Sequence, residues 1–291
     1  MSVPRLWAKF QAQILAKVPD HRLQVILSIP VLGKLFAKRI RQQLGFSCCG
    51  SFGSGTAPIS PSLLTWWQRL GVNIGEGWGM TELSGAATGN SPFQAAHLGT
   101  IGTPFDELEL KLSAEGELMV RGEPVFKEYY NNPEATESSF EGDWFKTGDK
   151  AIKNADGSWR ITGRVKEQFK TAKGKYVAPV PLESLVEANI YIEQSCVVGS
   201  GMPQPVALVV LNAQHGQSKA AVEKTLLATL DSVNAAVESH ERLDRLIVVK
   251  SPWTIENGLL TPTMKLKRNE IEAATKILVE QSVSGKLIWE E

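Results

Sequence analysis

Cysteine is scarce in this chain of 291 residues, which contains only Cys48, Cys49 and Cys196. An odd number of cysteines without metal-ligand spacing excludes a disulfide framework and a zinc-finger type of site. The four histidines form no pair at positions i and i+4 that would suggest a metal. We therefore expect a protein of a reducing compartment, the cytoplasm, whose fold depends on neither disulfides nor zinc.

Long apolar runs and net charge are also lacking. The longest apolar run, Val25 to Phe36, is interrupted by Pro30 and Lys34, so it does not predict a membrane-spanning helix. The N-terminus has no signal-peptide pattern. Lysine plus arginine and aspartate plus glutamate each number 31, so nothing global points to nucleic acid as a partner.

The charge that is present is unevenly distributed. Asp20 is the one acidic residue in residues 1–45, whose basic residues are Arg5, Lys9, Lys17, Arg22, Lys34, Lys38, Arg39 and Arg41. Residues 31–44 predict a basic amphipathic helix. Such a helix can lie on an anionic membrane surface, or it can pack on its own domain with the cations in water. Peripheral membrane contact of a cytoplasmic protein therefore stays open.

Local signals predict a chain in which helices and strands alternate. Ser60, Pro61 and Gly71 are typical of the cap, first turn and exit of a helix, and Asn132 is typical of a second cap. Helices are also expected at 2–18, 181–189 and 218–241. Apolar strands are expected at 195–198 and 206–211. The predicted fold class is α/β, with an α+β arrangement in the C-terminal part.

The stretch from Ile161 to Pro179 is dense in lysine and arginine and contains the turn residue Gly174. It predicts a basic hairpin at a junction between domains. An anionic ligand near the hairpin is one interpretation, and lysines that simply face water are the other.

Several separated stretches together resemble one protein family. They are Val3–Trp7, Ser54–Pro61, Trp78–Gly85, Val125–Tyr130 with Asn132–Thr136, Trp144–Asp149, Gly163–Phe169, Gly174–Pro179 and Leu260–Arg268. In this order they resemble the adenylate-forming superfamily, and within it the C-terminal half of the long-chain fatty-acyl-CoA synthetases. The resemblance implies a ligase that uses ATP, Mg²⁺ and CoA. A carboxylate, such as a fatty acid, attacks the α-phosphate of ATP, and the CoA thiol then displaces AMP.

The resemblance implies catalytic roles for three residues. Glu82 would hold Mg²⁺, and Thr81 would contact the phosphate. Lys265 would bridge the acyl carboxylate and the α-phosphate, with Lys267 as the fallback. An ammonium about 4 Å from the developing charge contributes roughly 4 kcal/mol at an effective dielectric near 20. Without the resemblance, Lys265 would be an ordinary loop lysine.

The resemblance also implies a nucleotide site. The residues that would line the adenine pocket are Gly55, Thr56, Ala57, Pro58, Trp78 and Gly79, with Trp78 standing where the family usually has tyrosine. Asp149 would accept hydrogen bonds from the ribose hydroxyls, and Arg164 would face the ribose or phosphate. Lys166 would be a hinge, and Gly174 would border the pantetheine path. The alternatives are a core tryptophan at Trp78 and turn residues at Asp149 and Gly174.

Two domains are expected: residues 1–162 as part of the adenylation core and residues 163–291 as a mobile C-terminal lid. The family's phosphate-binding loop ending in Pro-Lys-Gly is not found in the sequence. We therefore expect a truncated or split ligase that is inactive alone and pairs with a separate N-terminal half or with itself. The alternative is a non-catalytic nucleotide-binding or interaction remnant. A related ligase with another acid, or with a carrier protein as acceptor, is a third possibility.

Overall fold

The computed structural model describes residues 1–212, 218–281 and 285–290. The chain divides into two compact units, Met1–Lys166 and Glu167–Glu291. The sequence places the boundary slightly earlier, between residues 162 and 163. Both units combine helices and sheets, so the predicted α/β class is confirmed.

Unit 1 begins with three helices that pack around aromatic side chains. The helices of this unit are α1 (Pro4–Lys17), α2 (Asp20–Ser28), α3 (Pro30–Gln43), α4 (Pro61–Arg69) and α5 (Pro133–Ser139). Trp7 of α1 and Trp67 of α4 meet edge to face, with ring centroids 5.3 Å apart, and both are buried. The predicted cap of α4 is present, because Ser60 Oγ accepts a hydrogen bond from the Leu63 backbone N–H.

Two sheets complete unit 1. The first comprises β1 (Phe52–Ser54), β2 (Ile74–Met80), β3 (Gly85–Gly89) and β4 (Thr103–Pro104) in that order, with β1 and β2 parallel and the other pairs antiparallel. The second comprises β5 (Leu108–Leu112), β6 (Glu117–Gly122), β7 (Phe140–Glu141), β8 (Trp144–Lys153) and β9 (Trp159–Arg164). Strand β8 pairs with β6, β7 and β9 and is the centre of this sheet.

Unit 2 starts with the predicted hairpin, formed by β10 (Phe169–Lys170) and β11 (Tyr176–Val177). The elements that follow are α6 (Pro179–Val186), β12 (Ile192–Val198), β13 (Val206–Leu211), α7 (Lys219–Ala236), β14 (Leu246–Val248), α8 (Arg268–Gln281) and β15 (Leu287–Trp289). Helix α7 ends before the predicted limit at residue 241.

The main sheet of unit 2 has the order β12-β13-β14-β15 and is covered on both faces. Leu182 of α6 and Leu226 of α7 pack on one face, together with Val209 of β13. Ile271 of α8 packs on the other face with Leu208 of β13. Because both faces are buried, β13 is apolar at consecutive positions rather than at alternate ones. Among the described residues, no helix combines the length and apolar character needed to cross a bilayer.

Candidate functional site

Two of the sequence stretches singled out above leave the first sheet at the same edge. Strands β1 and β2 are parallel and in register, with Ser54 opposite Glu76. The loop of residues 55–58 follows the carboxyl end of β1, and Trp78–Glu82 forms the carboxyl end of β2 and the turn after it. In open α/β sheets, ligands bind outside the carboxyl ends of parallel strands. This edge is therefore the candidate binding site of unit 1.

Glycine is required at this edge because backbones approach closely. A Cβ atom at Gly55 would lie 3.1 Å from the Gly77 carbonyl oxygen and 2.5 Å from Met1 Cε. A Cβ atom at Gly79 would lie 1.9 Å from the Gly85 carbonyl oxygen on β3. The edge thus presents bare backbone, to which a flat ligand has close access.

The structure brings Trp78, Asp149 and Arg164 together. The indole Nε1–H of Trp78 donates to Asp149 Oδ2 at 2.8 Å, across 71 positions of sequence. Arg164 Nε lies 2.9 Å from Asp149 Oδ1, and the arginine side chain is 48% exposed, against 7% for the aspartate. A buried carboxylate held by an indole on one oxygen and by a guanidinium on the other has a fixed orientation.

The indole of Trp78 is half-buried and also contacts apolar side chains. It packs against the cluster around Leu83 and Phe145 and against the cluster around Trp159. The alternative interpretation of Trp78 as a core residue therefore has a physical basis. Its single N–H group nevertheless points to the carboxylate rather than to a backbone carbonyl.

Glu82 lies in a short 3₁₀ turn, Thr81–Leu83, directly after β2. Its Oε1 accepts a hydrogen bond of 2.9 Å from the Tyr129 hydroxyl, and its carbonyl oxygen accepts one from the Phe126 backbone N–H. Burial and the Glu82 carboxylate raise the pKa of Tyr129 above its ordinary value, so the phenol stays a donor. Thr81 is exposed beside it.

Tyr129 joins the candidate site through its hydrogen bond to Glu82, although the sequence alone assigns it no role. The signal was present, since Tyr129 lies in the stretch Val125–Tyr130 that contributes to the family resemblance. Its contact with Glu82, 47 positions away, depends on long-range packing that no local pattern reports.

The donor set at Glu82 is compatible with Mg²⁺ held jointly with a nucleotide. No group of three or more histidine, cysteine, aspartate or glutamate side chains in the described ranges forms a cage for a metal ion. Mg²⁺ commonly uses one or two protein carboxylates plus substrate phosphates, and a lone glutamate fits that pattern. The Tyr129 hydrogen bond occupies one carboxylate oxygen and leaves the other as the candidate ligand.

Lys265 lies in unit 2, on a tight turn. The Met264 backbone N–H donates to the Thr261 carbonyl, and Met264 has a positive φ of 64°. The Thr261 and Lys265 backbones are joined by a hydrogen bond of 2.8 Å, and Thr261 Oγ1 accepts from the Lys265 N–H at 3.0 Å. The turn exposes Lys265, whose ammonium forms no ion pair with the described part of the chain. Lys267 is exposed as well.

Gly174 lies in the turn of the β10–β11 hairpin, also in unit 2. Its φ of +77° is in the left-handed region, and within the described residues Lys170 Cε is the one heavy atom within 4 Å of a Cβ placed there. The space above Gly174 is therefore open. The geometry accounts for the glycine as a turn residue, and it also leaves room for a ligand. Lys166 lies in the 3₁₀ turn Val165–Glu167 that follows β9.

A surface of unit 1, formed by α2, α3 and Ile29 between them and bordered by Arg69 of α4, combines exposed apolar side chains with cations. Val25, Ile29, Val31, Leu32 and Leu35 are all exposed, with Val31 at 72%. Beside them lies a groove of about 540 Å³ whose lining includes Lys34, Lys38, Arg41 and Arg69. We call these nine residues the α2–α3 surface.

Comparison with protein families gives two matches. The AMP-binding enzyme family matches residues 1–130, and the AMP-binding enzyme C-terminal domain matches residues 166–282.

Curated relatives include long-chain-fatty-acid–CoA ligase FadD15 of Mycobacterium tuberculosis, which is 35% identical over 259 residues. That match covers 83% of this chain and 43% of the ligase. Long-chain-fatty-acid–CoA ligase 5 of Rattus norvegicus is 31% identical over 289 residues, covering 89% of this chain and 42% of the ligase. This chain thus spans less than half the length of these two ligases.

Solved structures of similar fold include the A domain of a carboxylic acid reductase from Segniliparus rugosus, in complex with AMP and a co-purified carboxylic acid. The TM-score is 0.73 at 24% identity, covering 96% of this chain and 45% of the other. The anthranilate CoA ligase AuaEII in complex with anthranoyl-AMP gives a TM-score of 0.68 at 24% identity. That match covers 85% of this chain and 49% of AuaEII.

Proposed function

Because this chain belongs to the AMP-binding, adenylate-forming enzyme family, we propose that it takes part in the ATP-dependent joining of a long-chain fatty acid to CoA. The names of the curated relatives support the choice of acid and thiol. The observation that carries the proposal is the group Trp78, Asp149 and Arg164, which meets at the sheet edge where the loop of residues 55–58 ends β1.

In this proposal the edge holds the nucleotide. The adenine lies against the bare backbone of Gly55 and Gly79, bordered by Thr56, Ala57 and Pro58, with Trp78 beside it. The Asp149 carboxylate accepts the ribose hydroxyls, and the exposed Arg164 faces the ribose or a phosphate. Trp78 and Arg164 fix the carboxylate before the ligand arrives, so its orientation adds little cost to binding.

The reaction has two displacements. In the first, a carboxylate oxygen of the acid attacks the α-phosphorus, and the bond to pyrophosphate breaks. In the second, the thiol sulfur attacks the acyl carbon, the bond to AMP breaks, and the thiol proton is lost to solvent.

Charge stabilisation is the role proposed for three side chains. Lys265 neutralises the α-phosphate oxygens and the acyl carboxylate, and the Thr81 hydroxyl donates to a phosphate oxygen. Glu82, held by Tyr129, is the proposed ligand for Mg²⁺, which supplies further positive charge when bound. Gly174 leaves space for the pantetheine arm, and Lys166 is the proposed hinge.

A second candidate function is a non-catalytic nucleotide-binding or interaction module. The observation that favours it is that Trp78, Asp149 and Arg164 are joined within unit 1, so a nucleotide site there does not require the Lys265 turn of unit 2. In that case the chain binds a nucleotide or a partner, such as a second copy of itself, without turnover. The split ligase predicted from the sequence would instead turn over only with a companion chain.

The test compares wild-type protein with Lys265→Ala and with Lys267→Ala, the fallback assignment, using Lys276→Ala at an exposed position of α8 as the matched control. AMP release and acyl-CoA are measured with ATP, Mg²⁺, a long-chain fatty acid and either CoA or a pantetheinylated carrier protein. We expect Lys265→Ala to lower turnover about a hundred-fold to a thousand-fold, because the lost charge contact lies in the transition state, and Lys267→Ala and Lys276→Ala to keep it. AMP binding by calorimetry without turnover would support the binding module instead. If the chain showed no AMP binding and no turnover, both candidate functions would be contradicted.

We also propose that the α2–α3 surface, to which residues 31–44 contribute six of the nine residues, contacts anionic membranes. Exposed aliphatic side chains insert at the boundary of headgroups and acyl chains, and neighbouring lysines and arginines pair with phosphates. A second copy of the chain is a poorer partner, because a two-fold contact would bring like charges together. Sedimentation with lipid vesicles tests this proposal.

A further inference from the structure

The turn that carries Lys265 is a small hairpin leading directly into α8. Leu260 and Leu266 form an antiparallel bridge, and the Lys267 N–H donates to the Leu259 carbonyl at 2.9 Å. These bonds define the shape of the hairpin but not its position in the unit. Position is set by side chains that attach the hairpin to other elements. One is Leu260, which is buried beside Trp253 and Ile271. Leu259 and Leu266 pack against the same cluster. A polar attachment is made by Arg268, the first residue of α8.

Arg268 connects the start of α8 to α6 and β12. Both of its terminal nitrogens donate to the Glu183 carboxylate of α6, the Nη2–Oε2 distance being 3.0 Å. Nη1 also lies 3.4 Å from the Val197 carbonyl oxygen and 3.4 Å from Cys196 Sγ on β12. Glu183 Oε1 in turn accepts the Val197 N–H at 2.7 Å. A planar guanidinium with several fixed partners determines direction as well as distance.

The same guanidinium reaches the first residue of unit 2. Arg268 Nη2 lies 3.8 Å from Glu167 Oε2, and Glu167 directly follows Lys166, the proposed hinge. The Glu167 side chain is 40% exposed, and those of Arg268 and Glu183 are 16% and 9% exposed. Glu183 is therefore a buried anchor, and Glu167 is a weaker contact at the surface.

We propose that Arg268 is a positioning residue that fixes the Lys265 turn through Glu183 and links this turn to the segment beginning at Glu167. Arg268 does not act on substrate itself, since it is largely buried and its terminal nitrogens are engaged by protein atoms. Burial lowers its pKa, but the hydrogen bonds and charge of Glu183 outweigh this and raise the pKa above the ordinary value, so the guanidinium stays charged. The catalytic meaning of the turn rests on the proposed function.

The test uses the full chain and does not require turnover. Glu183→Gln and Glu167→Gln keep the size of each side chain and leave every trypsin site intact, whereas a change at Arg268 would alter the neighbourhood of the cleaved bonds. Glu270→Gln is the matched control, since it removes an exposed carboxylate from the same helix. Tryptic cleavage after Lys265 is followed by mass spectrometry, with cleavage after Lys173 in the β10–β11 turn as the internal reference.

We expect Glu183→Gln to raise the rate of cleavage after Lys265, relative to Lys173, by about tenfold, because a local opening becomes more populated. Glu167→Gln should raise it by a few-fold, and Glu270→Gln should leave it unchanged. An equal rise at Lys265 and Lys173 would overturn the proposal, because it would show general loosening of unit 2. The proposal would also be overturned if the relative rate of cleavage after Lys265 stayed at the wild-type value in both Glu183→Gln and Glu167→Gln.

If the chain is active, its steady-state kinetics test the positioning role independently of the cleavage assay. A positioning role predicts that Glu183→Gln lowers kcat while KM for ATP changes little, because the misplaced ammonium matters in the transition state. Absence of turnover in wild-type protein would contradict the proposed function. The cleavage assay would still test whether Arg268 and Glu183 fix the Lys265 turn.

Discussion

Asp149 illustrates how one carboxylate serves protein and ligand together. Trp78 donates to Oδ2 and Arg164 lies against Oδ1, so the protein itself orients both carboxylate oxygens. An indole N–H can only donate, so it cannot compete with the carboxylate for ribose hydroxyls. Tryptophan in place of the usual tyrosine is therefore compatible with the proposed site.

Glu76, on β2 of the same sheet, gives a prediction about pH. Its Oε2 is buried with no hydrogen-bond partner in the described ranges, and its carboxyl accepts one bond from the Gly99 backbone. Burial raises the pKa of Glu76 from 4.5 to about 8. The folded state thus keeps a proton that the unfolded chain loses. Between pH 4.5 and 8, the free energy of unfolding should fall by about 1.4 kcal/mol per pH unit from this group.

Glu76→Gln removes the titrating group and keeps the shape. We expect it to abolish this part of the slope, so that the variant melts at a higher temperature than wild type at pH 8 and at a similar temperature at pH 4.5. Calorimetry at the two pH values measures the effect. Glu137→Gln, at an exposed position of α5, is the control. An unchanged slope in Glu76→Gln would show that Glu76 ionises in the folded protein as it does in the unfolded chain.

Among the elements, those defined by local chemistry could be predicted from sequence. The caps of α4 and α5 require only Ser60 and Asn132, whose side chains each accept a nearby backbone N–H. Helix α2 is not predicted from the sequence, because the apolar run from Val25 to Phe36 continues from the end of α2 into α3. The run therefore hides the boundary between the two helices at Pro30. Strand β2 has glycine at the alternate positions 75, 77 and 79, which weakens the sequence signal of a strand.

The candidate site could be predicted as a set of residues but not as a set of contacts. Family resemblance singled out Trp78, Asp149 and Glu82, yet the bonds that hold them join residues 71 and 47 positions apart. Tyr129 and Glu183 were missed for that reason. Both lie in stretches whose local pattern is that of an ordinary loop or helix, and only tertiary packing gives them a partner.

The close approach of β2 and β3 gives a prediction for an element. In Gly79→Ala the new methyl would lie 1.9 Å from the Gly85 carbonyl oxygen and 2.7 Å from Ala86 Cα. Backbone atoms must move, so the pairing of the two strands is lost locally. We expect a loss of about 3 kcal/mol in the free energy of unfolding, measured by urea denaturation followed by circular dichroism.

Gly142→Ala separates steric overlap from backbone strain. Gly142 has a φ of +59°, but no heavy atom of the described part of the chain lies within 4 Å of its added Cβ. This variant should lose only about 1 kcal/mol, from strain alone. Equal losses in the two variants would contradict the account of Gly79.

The whole molecule is neutral, but its charges are unevenly distributed along the chain. The formal net charge is zero, yet three cations of residues 1–45, namely Lys34, Lys38 and Arg41, line the groove beside the apolar side chains exposed on the α2–α3 surface. We expect wild-type protein to sediment with vesicles that contain phosphatidylglycerol and not with pure phosphatidylcholine. Added salt should weaken binding, because it screens the charges.

The variant Val31→Glu with Leu32→Glu should abolish vesicle binding, whereas Ile277→Glu, at an exposed position of α8, should leave it unchanged. Equal binding to neutral vesicles, or no binding by wild type, would contradict the membrane proposal. Self-association that disappears in the double variant would identify the surface as a contact between copies instead.

Cys196, which contacts Arg268, differs from the other two cysteines in how fast its thiol can react. Burial, first of all, raises the pKa of its thiol to about 12, whereas Cys48 and Cys49 are exposed. An alkylating reagent therefore modifies the pair in unit 1 promptly and reaches Cys196 only when unit 2 opens. The rate of Cys196 alkylation therefore reports the opening of unit 2, and Cys48 and Cys49 serve as a built-in reference in unit 1.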